Sequence, residues 1–123
     1  MFKGLKIVAI DGTPSIITFL RLSLEGERVE FYNAANAKKG LDLCKQVLPD
    51  LVILDLGLPD MDGLEILPEI KKIRENNAPK VLVLTVRKGR QVVSDAFKNG
   101  ADAYLAKPFI VDDLVETISD VTK

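Results

Sequence analysis

The 123-residue chain contains no histidine and one cysteine, Cys44. Without histidine the commonest side-chain general base is missing, which excludes a Ser-His-Asp hydrolase and histidine phosphotransfer within this chain. A Cys/His zinc site is excluded with them, and a single cysteine cannot close an intrachain disulfide. Long hydrophobic runs are missing too: none approaches the ~18 residues of a membrane-spanning helix. The N-terminus has no apolar signal segment with a cleavage site, so the expected location is cytoplasmic, with no membrane partner. Charge of one sign is not in excess either. Seventeen basic residues face eighteen acidic ones, a net −1, which gives no global pull toward nucleic acid or an anionic lipid surface.

What is present is an alternation. Apolar residues make up 47% and charged residues 28%, the balance of a globular protein of about one domain. Short aliphatic or β-branched runs stand at 5–10, 29–34, 51–56, 80–85 and 102–106. Segments with apolar residues three or four apart fill 14–25, 36–48, 63–75, 90–99 and 111–121. Runs that are apolar almost throughout belong to strands buried on both faces, hence to a parallel sheet covered by helices. Five β-then-α units predict a doubly wound α/β fold, (βα)5, spanning 1–123 as one domain without linker, repeat or low-complexity segment. Gly40, Gly63 and Gly100 read as punctuation between elements. Pro68 falls inside the third helical segment and predicts a bend there. Cys44, at helical spacing from Leu41 and Leu48, reads as core, and the run EIKKIRE (69–75) as a solvated helix face.

In an open parallel sheet ligands bind beyond the carboxyl ends of the strands. The first run delivers Asp11 to that edge, the third Asp55 and the fourth Thr85, while the fifth is followed by Lys107-Pro108. Two acids side by side repel, so a divalent cation or Lys107 has to offset them. Oxygen ligands without His or Cys point to Mg²⁺, which favours sites shared with phosphate.

Asp11, the stretch LVILDLGLPDMDG (51–63), VLVLT (81–85) and GADAYLAKPF (100–109), in that order and spacing, resemble the receiver domains of two-component response regulators. The resemblance covers essentially the whole chain. It implies the flavodoxin-like arrangement of that family, a five-stranded parallel sheet in order 2-1-3-4-5. It also implies a phosphoacceptor signalling domain rather than an enzyme. Asp55 then accepts a phosphoryl group from a sensor histidine kinase or phosphotransfer protein, with Thr85 and Lys107 binding the phosphoryl oxygens. Asp11, Asp55 and the backbone carbonyl of Gly57 would hold Mg²⁺. Thr85 and Tyr104 form the switch that changes the face shown to a downstream output protein or domain, and the family's bond before Pro108 is cis. Arg87, two residues after Thr85, is expected at the mouth of the site, controlling water access.

The family normally has two adjacent acids after the first strand, and here the second position is Gly12. With one carboxylate fewer, Mg²⁺ is expected to bind weakly, and Gly12→Asp to tighten it. The alternative is a degenerate receiver that binds partners without phosphorylation. IDGT (10–13) also resembles the Asp-x-Asp-Gly-Thr motif of haloacid-dehalogenase phosphatases, but their nucleophile position is Ala9 here. A flavin binder of the same topology would need a Ser/Thr/Gly-rich phosphate loop that DGTPSI does not supply. On the first helix Ile17, Leu20 and Leu24 can face the sheet, which leaves Ile16, Phe19 and Leu22 as an outer apolar stripe for the kinase or phosphotransfer partner. The sequence ends after the fifth helix, so no output domain is expected within it.

Overall fold

Strands and helices alternate strictly along the chain in the computed structural model, which describes residues 3–74 and 76–123. They are β1 (Lys3–Ile10), α1 (Pro14–Ser23), β2 (Arg28–Ala34), α2 (Ala37–Val47), β3 (Leu51–Leu54), α3 (Gly63–Lys71), β4 (Lys80–Thr85), α4 (Arg90–Lys98), β5 (Ala103–Ala106) and α5 (Val111–Val121). All neighbouring strands are parallel, in order β2-β1-β3-β4-β5. This is the doubly wound fold expected from the alternation, in the flavodoxin-like strand order that the resemblance implies.

The pleat explains why the central strands are apolar throughout. Successive side chains point to opposite faces, and each face has its own core. Val8, Ile10, Val52, Leu54, Val81 and Val83 pack with Cys44 of α2, Ile66, Leu67 and Ile70 of α3 and Ala96 of α4. Ile7, Ala9, Leu51, Ile53, Leu82 and Leu84 pack with Ile17 and Leu20 of α1, Leu24 beyond it, and Leu114 and Ile118 of α5. Each such side chain contributes ~1.5–3 kcal/mol when fully buried, which lets β3 form although it has only four residues, all buried.

Several expected boundaries move, each for a physical reason. β3 stops at Leu54 rather than residue 56, so Asp55 is the first residue past the ladder. α1 ends at Ser23 with Leu24 as its cap. α3 runs through Pro68 but stops at Lys71, short of residue 75. Its last turn tightens: the amide of Lys72 is shared between the carbonyls of Pro68 and Glu69, both at 3.2 Å. The run 69–75 is therefore not simply a solvated face; Glu75 itself lies outside the described residues. The Lys71 ammonium bonds the carboxylate of Asp102 and the carbonyl of Pro79, both at 2.8 Å. Arg74 turns back onto the carbonyls of Leu48 and Pro49 at 3.1 and 2.9 Å. Gly40 is no punctuation either: it lies inside α2, where a Cβ would come within 2.6 Å of Ile10 Cδ1. Glycine there lets α2 approach β1 closely.

Candidate functional site

The carboxyl ends of β1, β3, β4 and β5 bring Asp11, Asp55, Thr85 and Lys107 to one edge. Asp11 and Asp55 extend the ladders by one bond each, to the carbonyls of Ala34 (3.0 Å) and Ile10 (2.9 Å). The two acids therefore stand one strand apart at the same height. Asp11 Oδ1 accepts the amide of Thr13 at 2.9 Å, a local turn that aims the other oxygen inward. That oxygen, Oδ2, accepts Lys107 Nζ at 2.7 Å, and Asp55 Oδ2 lies 3.6 Å from the same nitrogen. All three side chains are buried, with 3%, 10% and 9% of the Asp11, Asp55 and Lys107 side chains exposed. One ammonium thus serves two acids and stands nearer to Asp11.

Lys107 is held by its backbone. Its amide donates to the carbonyl of Thr85 at 2.8 Å, and the Lys107-Pro108 bond is cis. Thr85, the last residue of β4, is fully buried, and its hydroxyl is 3.5 Å from the amide of Arg87. On the far side, Gly63 opens α3 where a Cβ would stand 2.5 Å from the Asp55 carbonyl. The start of α3 therefore packs directly on the backbone of Asp55. Gly57 is exposed, and a Cβ on it would lie 4.0 Å from Asp55 Oδ2, so its backbone borders the carboxylate.

Two acids of the β3–α3 loop were not singled out in the sequence. Asp62 caps α3 through the amide of Leu64 at 3.0 Å. It also takes Arg87 Nη1 on both oxygens, at 3.0 and 2.9 Å, while Arg87 Nη2 reaches the Leu56 carbonyl at 3.3 Å. Arg87 therefore spans from β4 to the β3–α3 loop. Asp60 accepts the amides of Ala37 and Lys38 at the start of α2, at 2.8 and 3.0 Å, and these bonds hold its carboxyl below the usual carboxylate range. An Asp followed by Gly ahead of an apolar run was a readable capping signal for Asp62. Nothing local marks Asp60, whose partners lie more than twenty residues away in the chain.

Tyr104 is half-buried in β5 and donates its hydroxyl to the carbonyl of Arg87 at 2.7 Å. Burial first, and then the charge of Asp55, push its phenol up, against the pull of Arg87. The α1 stripe divides. Leu22 is 58% and Phe19 39% exposed, but Ile16 is half-buried against the second core. Phe19 also stacks on Phe109, with ring centroids 5.3 Å apart.

The family profile of the response regulator receiver domain matches residues 7–119. The chain belongs to this family. Among relatives, the KDP operon transcriptional regulatory protein KdpE of Escherichia coli is 38% identical over 108 residues, covering 88% of this chain and 47% of KdpE. The chain thus spans about half of that relative. Sporulation initiation phosphotransferase F of Bacillus subtilis is 33% identical, covering 92% of this chain and 90% of that protein. A CheY-like receiver domain from Methanospirillum hungatei JF-1 superposes with a TM-score of 0.88 at 30% identity, over 96% of this chain and 93% of that one. Receiver domains are signalling domains that generally take a phosphoryl group with the help of Mg²⁺. They interact with histidine kinases or phosphotransfer proteins and with output domains. In this receiver the carboxylates of Asp11 and Asp55 offer only oxygen, donors that fit a hard divalent cation, and at Gly57 the amide faces Asp55, donating to its Oδ1 at 3.3 Å. Among the described residues no third acid, His or Cys joins them. Among the described residues no helix is long and apolar enough to cross a membrane.

Proposed function

We propose that residues 1–123 form one cytoplasmic receiver domain that accepts a phosphoryl group on Asp55. The donor is a phosphohistidine on a sensor histidine kinase or phosphotransfer protein. In the transfer an Asp55 carboxylate oxygen forms a bond to phosphorus as the nitrogen–phosphorus bond breaks, and the imidazole leaves with the electron pair. Such a transfer depends on positioning and charge neutralisation more than on proton chemistry. The supporting observation is the Lys107 ammonium, 2.7 Å from Asp11 and 3.6 Å from Asp55, beside the buried Thr85. It can leave the first acid for the phosphoryl oxygens, with Thr85 hydroxyl as a further donor. Asp11, Asp55 and Gly57 carbonyl would hold Mg²⁺, which when bound offsets phosphoryl charge of roughly −2. A shift of Thr85 toward the phosphoryl group changes the position of Arg87, whose carbonyl holds Tyr104, and so changes the face offered to the output partner.

Mass spectrometry after incubation with acetyl phosphate and Mg²⁺ tests the assignment. One phosphoryl group on Asp55, and none in Asp55→Asn with the fold retained, is expected; label elsewhere overturns it. Gly12 favours a second reading, a receiver that binds partners without phosphorylation, and unlabelled wild-type protein would select it. Phe19 and Leu22, flanked by Ile16, are the proposed contact for the phosphodonor protein. Phe19→Ala should weaken that binding by ~1–3 kcal/mol, measured by calorimetry, while loss of the Phe109 contact costs only ~0.5–1.5 kcal/mol of stability.

A further inference from the structure

The connection from β4 to α4 is exposed apart from one residue. Of residues 86–90 only Arg87 is half-buried; Val86, Lys88, Gly89 and Arg90 are exposed. What places this loop is therefore Arg87 itself. Its guanidinium grips the β3–α3 loop at both ends: Nη2 donates to the Leu56 carbonyl at 3.3 Å, and Nη1 to the two oxygens of Asp62 at 3.0 and 2.9 Å. That loop is closed on itself, since the Leu56 carbonyl also accepts the Gly63 amide at 2.8 Å and Gly57 pairs antiparallel with Asp62. Asp62 is fixed in turn, because its Oδ1 caps α3 through the Leu64 amide at 3.0 Å. What hangs on this anchor is the carbonyl of Arg87, which accepts the Tyr104 hydroxyl at 2.7 Å. With the side chains of Arg87 and Asp62 37% and 38% exposed, the ion pair adds little to stability. Three bonds from one planar guanidinium nevertheless fix its orientation.

We propose that Asp62 is a positioning residue for Tyr104, acting through Arg87. By holding the guanidinium, Asp62 sets where the Arg87 carbonyl stands, and so where the Tyr104 hydroxyl is held. The inference rests on the receiver reading, in which Thr85 and Tyr104 form the switch, and deepens it. Arg87 lies two residues beyond Thr85, so a shift of Thr85 toward a phosphoryl group pulls on a residue that is tied to the opposite loop. The same ion pair couples the start of α3 to β5 before any phosphoryl group arrives. The coupling is reciprocal: a contact that alters Asp62 reaches Tyr104, and a contact that alters Tyr104 reaches Asp62.

The test uses the unphosphorylated chain, whose two tyrosines are Tyr32 and Tyr104. Isotopic labelling of tyrosine at the phenolic carbon gives an NMR resonance for each, assigned with Tyr104→Phe. Tyr32, whose hydroxyl bonds Glu30 on β2 at 3.1 Å, is the internal control. Asp62→Ser keeps a capping oxygen for α3 and removes the carboxylate. It should shift the Tyr104 resonance while that of Tyr32 stays in place. Arg87→Ala should shift the Tyr104 resonance as well, and adding Asp62→Ser to Arg87→Ala should give no further shift, as for two residues that act through one contact. An unmoved Tyr104 resonance in Asp62→Ser, or shifts that add in the double variant, overturns the proposal. A fall in melting temperature without the Tyr104 shift leaves Asp62 only its capping role and overturns it too. Labelling of Asp55 by acetyl phosphate is scored separately. Its failure removes the reading of Tyr104 as a phosphorylation switch, while the resonance cycle still decides for or against the positioning role.

Discussion

Two lysine–aspartate pairs stand at opposite ends of the same sheet, and their N–O distances hardly differ. Lys71 and Asp102, at the amino end of β4 and β5, are 2.8 Å apart; Lys107 and Asp11, at the carboxyl end, are 2.7 Å apart. Their surroundings separate them. Lys71 also bonds the carbonyl of Pro79, Asp102 also accepts the amide of Val81, and both side chains remain about one quarter exposed. That pair joins α3 to β4 and β5 and has its hydrogen bonds satisfied. Lys107 is buried between two acids, bonded to one and 3.6 Å from the other. A pair with matched partners stabilises a fold; a cation shared unequally between two buried carboxylates is poised to exchange partners. Distance alone does not distinguish structure from function, whereas the count of partners does.

The comparison breaks most directly at Lys107. Lys107→Ala leaves two buried acids without their ammonium, and the stability at neutral pH should fall by ~2–4 kcal/mol in denaturant unfolding. Millimolar Mg²⁺ should recover part of that loss. An unchanged midpoint would show that Lys107 does not couple the acids. The opposite pair sharpens the contrast. Asp102→Ala should cost ~1–2 kcal/mol, for one part-buried ion pair and one amide partner, while phosphodonor labelling of Asp55 stays at the wild-type level. Reduced labelling would mean that the two ends communicate.

The smallest effect tests a third acid, one that is satisfied at the functional end. The amides of Ala37 and Lys38 hold the Asp60 carboxyl below its ordinary value of 3.8. A carboxyl lowered by folding contributes stability above its unfolded pKa and loses it as pH falls through the folded one. The melting-temperature gap between wild type and Asp60→Ala should therefore be constant near neutrality and close only in acid, below about pH 4. A gap that persists at pH 2 would assign the effect to packing instead.

Much of the architecture was legible because it rests on local pattern. The unbroken apolar run in strands such as VLVLT and the spacing of three to four in the helices reflect which faces are buried, and those patterns predicted parallel strands and their covering helices. Asp11, Asp55, Thr85 and Lys107 were readable because strand ends in such a sheet share an edge whatever the detailed packing. The tertiary structure decided the rest. Which acid Lys107 holds more closely depends on how β5 docks on β4. Arg87 finds Asp62, and Asp60 finds α2, across 22 to 25 residues of chain that no local pattern links. Gly40 and Gly63 looked like punctuation because a sequence shows that a side chain is missing but not what fills its place. Gly12 is the clearest case: its absent acid was visible at once, but the carbonyl of Ala35 and the ring of Pro59 that border the space come from two other loops, and only folding brings them there.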